Sequence, residues 1–227
     1  MSESDRPTSP SAPPLITVRG EAQLEAQPDL ATFSITALRT GDSQEAVRDA
    51  LATASAQVRE LLDGHLAAIE KSSTTGLHVT PVFGRRQTKV QGYRGSFTTE
   101  VVVHDFDALS TLVFALAPIG DSQLDGPYWS LRPDNPVHRQ VRLAAIADAR
   151  SRADDYALAF AARVADLVEV SDLDGGFSGG RAMRAGTFAM AKGADEVPEF
   201  EFEPSVQSVS GQVTVRFTMT APDVSAT

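Results

Sequence analysis

The clearest pattern in the chain lies near its end. Val213, Val215, Phe217 and Met219 alternate with Gln212, Thr214, Arg216 and Thr218. That period of two describes a strand with one face on a core and the other toward water. The same period sets Ile16 and Val18 against Thr17 and Arg19, and Ala31, Phe33, Ile35 and Ala37 against Thr32, Ser34 and Thr36. Gly20 interrupts the first of these, as at a bulge or bend, and Pro28-Asp29 opens the second. Leu77, Val79 and Phe83 mark a further strand, in which Pro81 predicts an edge position or a bulge. A turn at Gly84-Arg85-Arg86-Gln87 leads into a long strand from Lys89 to His104, with Phe97, Val101 and Val103 on one face. Gly92 and Gly95 predict bulges within it. Tyr128, Trp129 and Leu131, and later Leu167, Val168 and Val170, mark two more strands.

Between the strands the period changes to three and four. Ala46, Val47, Ala50, Leu51, Ala54, Val58, Leu61, Leu62, Leu66 and Ile69 form one broad apolar stripe. The spacing predicts a helix capped by Asp42 or Ser43 and running to Glu70, with Gly64 inside it at a cost of roughly 1 kcal/mol relative to Ala. Asp105 or Asp107 caps a short helix carrying Leu109, Leu112, Val113 and Leu116, which Pro118 and Gly120 end. Asn135-Pro136 places a side-chain cap before a proline at the first helical position. The Ala- and Arg-rich run that follows predicts a helix to Val164, ~45 Å long and able to cross a whole domain.

The predicted class is α+β: a mostly antiparallel sheet backed by two long helices and one short helix. Residues 1–14 are Ser/Pro-rich and polar, and are expected to be a disordered tail. A single domain is expected over 15–221, with a mobile loop at 174–198 rich in Gly, Ala and Met, and a short tail at 222–227.

Composition narrows the function classes. At 42% hydrophobic and 22% charged residues, the chain has enough apolar side chains to bury a core. A formal net charge of -10 opposes nucleic acid, and by the same argument anionic lipid. With no cysteine, disulfides, thiolate metal sites and cysteine nucleophiles are excluded. No apolar run reaches the ~20 residues that span a bilayer. The opening MSESDRPTSPSAPP has neither a basic nor an apolar leader region, so the expected compartment is the cytoplasm.

Several motifs invite a chemical reading. Gly176-Phe177-Ser178-Gly179-Gly180 fits the G-x-S-x-G pattern of a nucleophile elbow. That chemistry needs a histidine base after the serine, and the last histidine in the chain is His138. The motif therefore reads as a flexible Gly-rich loop. His65, His78, His104 and His138 show no close ligand pair; His78 and His104, near Asp105 and Asp107, are the pair that adjacent strands would have to bring together. Asp172-Leu173-Asp174-Gly175 resembles the start of a calcium loop, but Val170 and Ala182 stand where ligands are required. The sequence thus offers no catalytic residue, no metal ligand set and no cofactor-binding residue. Arg85, Arg86, Lys89 and Arg94 cluster around Tyr93 on a hairpin, as a candidate patch for an anion or an anionic partner; the ordinary alternative is solvated hairpin charge. The charges of the long helix read as ion pairs at helical spacing, and Tyr128-Trp129 as core or as pocket lining.

The order and spacing of these pieces resemble the SIMPL-domain family. The resemblance rests on Val18-Arg19-Gly20 with Pro28-Asp29-Leu30-Ala31, on Pro81-Val82-Phe83, Gly92-Tyr93-Arg94 and Val101-Val102-Val103-His104-Asp105, on the Ala/Arg-rich helix from Ala144 to Ala165, and on the strand from Val209 to Phe217. It covers residues 15–220. It implies an antiparallel sheet backed by helices, and a family that includes exported bacterial antigens and ring-forming members. It supplies no catalytic residues, and most of its members carry a signal peptide where this chain has a polar tail.

The function expected is a non-enzymatic, self-associating structural or interaction domain, with a ring-like homo-oligomer implied by the resemblance. Glu199-Phe200-Glu201-Phe202-Glu203 places two phenylalanines on one strand face and three glutamates on the other, which makes Phe200 and Phe202 the candidate oligomer contact. A protein partner would fit this reading, though nothing in the sequence names one. The rival classes are a small-molecule-binding module built on Trp129 and the loop, and a hydrolase or metal-dependent enzyme with a cleft on the sheet.

Overall fold

A computed structural model describes residues 12–84, 89–172 and 202–223. In chain order its elements are β1 (Leu15–Ala26), β2 (Leu30–Gly41), α1 (Gln44–Asp63), β3 (Ile69–Phe83), β4 (Val90–Val103), α2 (Asp107–Leu116), β5 (Ser122–Ser130), α3 (Pro136–Ala159), β6 (Val164–Ser171) and β7 (Gln207–Met219). The class is α+β, as the periodicity predicts. The strands form two sheets, ordered β1-β7-β6 and β3-β4-β2-β5. The chain divides into two compact units, each holding one of these sheets.

One unit holds β2 to β5 with α1 and α2. β2 lies between β4 and β5 and pairs antiparallel with both. Its ladder with β4 runs from Ala31 opposite Val103 to Gly41 opposite Tyr93. Ala31, Phe33, Ile35 and Ala37 are buried, and they meet Val47, Leu51, Ala54, Val58 and Leu62 of α1 and Leu109, Leu112 and Leu116 of α2 in one core. β3 is an edge strand, where Pro81 costs no ladder bond on the open side. Gly95 of β4 serves the helix packing: a Cβ there would lie 2.7 Å from Leu51 Cδ1 and Val47 Cγ1 of α1. The sequence predicts bulges at Gly92 and Gly95. The register of β3 against β4 shifts between Val82 and Phe83, beside Gly92, and elsewhere in β3, but not at Gly95.

α1 is shorter than its apolar spacing suggests. Ser43 caps it, its side chain accepting from the Ala46 N–H at 3.1 Å, and Gly64 ends it. Leu66 is exposed, Ala68 joins the core, and Ile69 begins β3. At the start of α2, Asp105 Oδ1 accepts from the Asp107 N–H at 3.1 Å.

The other unit is built from β1, α3, β6 and β7 from Ser208 onward. β7 lies between β1 and β6. The Arg19–Gln212 and Gln23–Ser208 side-chain bonds run in opposite chain senses, which sets β1 antiparallel to β7. β6 pairs antiparallel with β7, from Val164 opposite Met219 to Ser171 opposite Thr214. Val213 and Val215 are buried, as the alternation requires, and Val209 with them, whereas Phe217 and Met219 at the end of the same face are half-buried.

Asn135 caps α3, its Oδ1 accepting from Val137 N–H at 2.9 Å. With 24 residues the helix is ~36 Å long, and it belongs to this unit alone. Its buried side is Val137, Val141, Ala145, Ala149, Ala153 and Ala157, every fourth residue. This narrow stripe of small residues lets the helix lie close to β1 and β7. Gly20 and Gly211 stand at the closest approaches, to Ala145 and Ala149 and to Val141 respectively. Gly20 is therefore a packing glycine, where the sequence suggested a bulge or bend. Of the ion pairs expected along α3, Arg152 and Asp148 meet at 2.9 Å.

Candidate functional site

The hairpin patch proposed from sequence lies at one end of the four-stranded sheet, where β3 turns into β4. The Gly84 N–H donates to the Lys89 carbonyl at 3.0 Å and closes the base of the turn. Lys89 and Arg94 are exposed. Arg85 and Arg86 lie outside the described residues.

Beside them, β2 gives way to α1 at Gly41-Asp42-Ser43. Gly92 allows the Gly41 carbonyl to approach, since a Cβ at residue 92 would lie 2.9 Å from that oxygen. The result is an open groove of about 470 Å³ lined by Thr40, Gly41, Asp42, Val82, Gln91, Gly92, Tyr93 and Arg94. Its chemistry is one guanidinium, one carboxylate, a phenol, a threonine hydroxyl, an amide and exposed backbone. Such a set can bind and orient a polar group; it holds neither a carboxylate pair nor an imidazole for proton transfer.

The opposite end of the same sheet carries a constellation that sequence reasoning missed. Arg132, just past β5, forms a two-pronged pair with Glu70 at the start of β3, at 2.7 and 2.9 Å. The Arg132 N–H donates to Asp29 Oδ2 at 2.7 Å, just before β2. The hydrogen bond from Arg132 holds the Glu70 carboxyl below its usual range, helped by the charges of Arg132 and of His104, which follows β4. These bonds tie together the ends of β2, β3 and β5. No local signal could have found them, because Glu70 and Arg132 are 62 residues apart.

The remaining candidates fall as follows. His78 sits opposite Ser96, whereas His104 follows Val103 at the far end of β4. Eight strand residues separate these two positions, roughly 26 Å, so the two histidines do not form a pair. Among the described residues no group of three or more His, Asp or Glu could hold a metal ion. Trp129 is half-buried and stacks edge-on against Phe106 at 4.8 Å, which is the core reading. Tyr128 is exposed, its hydroxyl donating to Asp125 Oδ2 at 2.7 Å. Phe202 is half-buried and packs against the core of the four-stranded unit. Phe200, Ser178 and the Leu173-Asp174-Gly175 part of the calcium-like segment lie outside the described residues, as does the loop at 174–198.

A family model, SIMPL, described as a protein of unknown function (DUF541), matches residues 16–217. The chain belongs to the SIMPL family. A SIMPL relative, the 26 kDa periplasmic immunogenic protein of Brucella melitensis, is 26% identical over 173 residues, which is 71% of this chain and 67% of the relative. Among solved structures, a hydantoinase/carbamoylase family amidase from Burkholderia ambifaria aligns over 53% of this SIMPL chain and 34% of its own, at 16% identity and a TM-score of 0.32. A likeness that low carries no argument.

The Brucella relative overturns the cytoplasmic expectation, since it is named as periplasmic. A leader is cleaved from an exported protein, so a polar opening such as residues 1–14 does not by itself assign a compartment. No helix among the described residues is long and apolar enough to cross a membrane.

Proposed function

We propose that this SIMPL protein is an exported, non-enzymatic structural or interaction domain that assembles with copies of itself through an open sheet edge. The observation that carries the reading is β6. It is one of the two edge strands of its sheet, β1 being the other, and Leu167, Val168 and Val170 are 59%, 50% and 52% exposed. Successive strand residues point to opposite faces, so apolar side chains meet solvent on both sides of this edge. An edge with free N–H and C=O groups and apolar side chains is a template for a strand from another chain. Asp166 and Glu169 interrupt the apolar run, and Glu169 is held by Arg216 at 3.1 Å. Charges at such an edge oppose indiscriminate stacking and favour a closed assembly. The periplasmic name of the relative supports the compartment.

The sequence pointed to Phe200 and Phe202 as the contact. With the Phe202 ring packed on its own core, β6 is the better supported surface. The test is Leu167→Lys with Val168→Lys, followed by size-exclusion chromatography with light scattering. The double variant should run at the monomer mass with an unchanged circular dichroism spectrum. An assembly that persists in the folded variant would remove β6 from the interface.

A further inference from the structure

The charge of the chain is not evenly spread. From Lys71 to Thr99 there is no Asp or Glu, and the stretch carries Lys71, Arg85, Arg86, Lys89 and Arg94; Glu70 and Glu100 bracket it. It spans β3 and β4: Lys71 lies opposite Val102 at the end far from the turn, Lys89 and Arg94 lie at the turn end, and Arg85 and Arg86 fall outside the described residues. The turn end of the hairpin is also apolar: Val82 is 38%, Phe83 52% and Val90 40% exposed. Lys89 and Arg94 are exposed among them. Asp42, in the adjoining groove, is the one carboxylate among its described lining residues.

We propose that the turn end of this hairpin docks on an anionic lipid surface, with Val82, Phe83 and Val90 entering the headgroup region and Lys89 and Arg94 meeting lipid phosphates. The argument from net charge against anionic lipid holds only where the distant carboxylates are felt. At physiological salt, charges further than ~8 Å are largely screened, so a surface against Val82, Phe83 and Val90 senses chiefly the cations beside them, Lys89 and Arg94. Interfacial binding combines buried apolar area with attraction to anionic headgroups, and this tip supplies both. Two of its three exposed apolar residues are aliphatic. They suit acyl chains, whereas single-stranded nucleic acid draws on aromatic faces on which bases stack. Strand backbone cannot enter hydrocarbon with its edge unpaired, so docking stops in the headgroup layer, about 5–10 Å deep.

The experiment is flotation of the full chain with vesicles of phosphatidylcholine alone or with about a third phosphatidylglycerol. Binding should require phosphatidylglycerol and vanish in high salt. Each neutralised cation should weaken partitioning about fivefold, so Lys89→Gln with Arg94→Gln should weaken it roughly 25-fold. Phe83→Ser with Val90→Ser should weaken it too, while leaving the salt dependence in place. Because the chain has no cysteine, Val82→Cys can carry an environment-sensitive fluorophore that should shift to the blue on vesicles, while the same label at Ala56→Cys on the exposed side of α1 should not. The proposal is overturned by absent binding to anionic vesicles, by equal binding to neutral ones, or by equal shifts at both labels. It is also overturned if both variants bind like the parent, or if the patch binds RNA or an acidic peptide and not vesicles.

Discussion

Replacing Gly20 by alanine is a one-methyl test of how α3 sits on its sheet. An ideal Cβ at residue 20 would lie 2.6 Å from Ala149 N and 2.7 Å from Ala149 Cβ, and would also press on the Ala145 carbonyl. Carbon atoms pack at about 3.5–4.0 Å, so the deficit is about 1 Å. Two of the three neighbours are backbone atoms in the middle of a 24-residue helix. No rotamer change relieves the clash; helix and strand must separate, loosening Ala145, Ala149 and Ala153 together. Overpacking of this kind costs typically 1–3 kcal/mol, against about 0.4–1 kcal/mol regained by stiffening the unfolded chain. With backbone as the obstacle, we expect a net loss of about 2 kcal/mol. At about 2–4 °C per kcal/mol for a chain of this size, Tm should fall by about 4–8 °C. Gly64→Ala is the matched control. Its φ is -69° and its nearest neighbour would be Leu61 O at 3.4 Å, so it should be neutral or stabilising by up to about 1 kcal/mol. Thermal and urea unfolding followed by far-ultraviolet circular dichroism measures both. If Gly20→Ala melts within about 1 °C of the parent, α3 does not lie against β1 as described.

Two further predictions follow from the same packing and electrostatics. Val215→Asp places a carboxylate at a buried position without a partner and should cost several kcal/mol, whereas Gln212→Asp on the exposed face, beside Arg19, should cost under about 1 kcal/mol; equal denaturation midpoints would show that the buried face is misassigned. Glu70 has a lowered carboxyl pKa, so its pairing stabilises the fold above the unfolded glutamate value of about 4.3 and is lost as pH falls through the lower folded value. Glu70→Gln should therefore destabilise the protein at neutral pH and flatten the acid side of its stability profile, and an identical profile in the variant would contradict the pairing.

Much of this fold is legible in one dimension because one face of each element is wet. β2 and β7 alternate cleanly since their second faces are only half-buried, and the starts of α1 and α3 are written in Ser43 and in Asn135-Pro136. The ends of helices were harder to read. The apolar spacing of α1 continues through Leu66 and Ile69, yet the helix stops at Gly64, and His65 Nδ1 bonds the Leu61 carbonyl at 2.9 Å. Ile69 repeats the helical spacing by coincidence, because it opens an edge strand. The Ala- and Arg-rich run, free of glycine and proline, predicts α3 to Val164. It ends at Ala159, and Ala161 adopts a φ of 51°, a left-handed stop that glycine usually marks. The division into two units has no local signature, since β1 and β7 come from opposite ends of the chain. The same holds for the Glu70–Arg132 clamp. The hairpin cations are legible in the sequence, whereas the exposure of Val82, Phe83 and Val90 beside them is a property of the fold.

Self-association is the central functional claim, and a mass in solution tests it most directly. Light scattering coupled to size exclusion should be run on the full chain across a concentration series into the micromolar range. The account predicts a discrete species well above the chain mass of 24.1 kDa, with no growth into larger aggregates as concentration rises. A mass of 24.1 kDa at every concentration would contradict it.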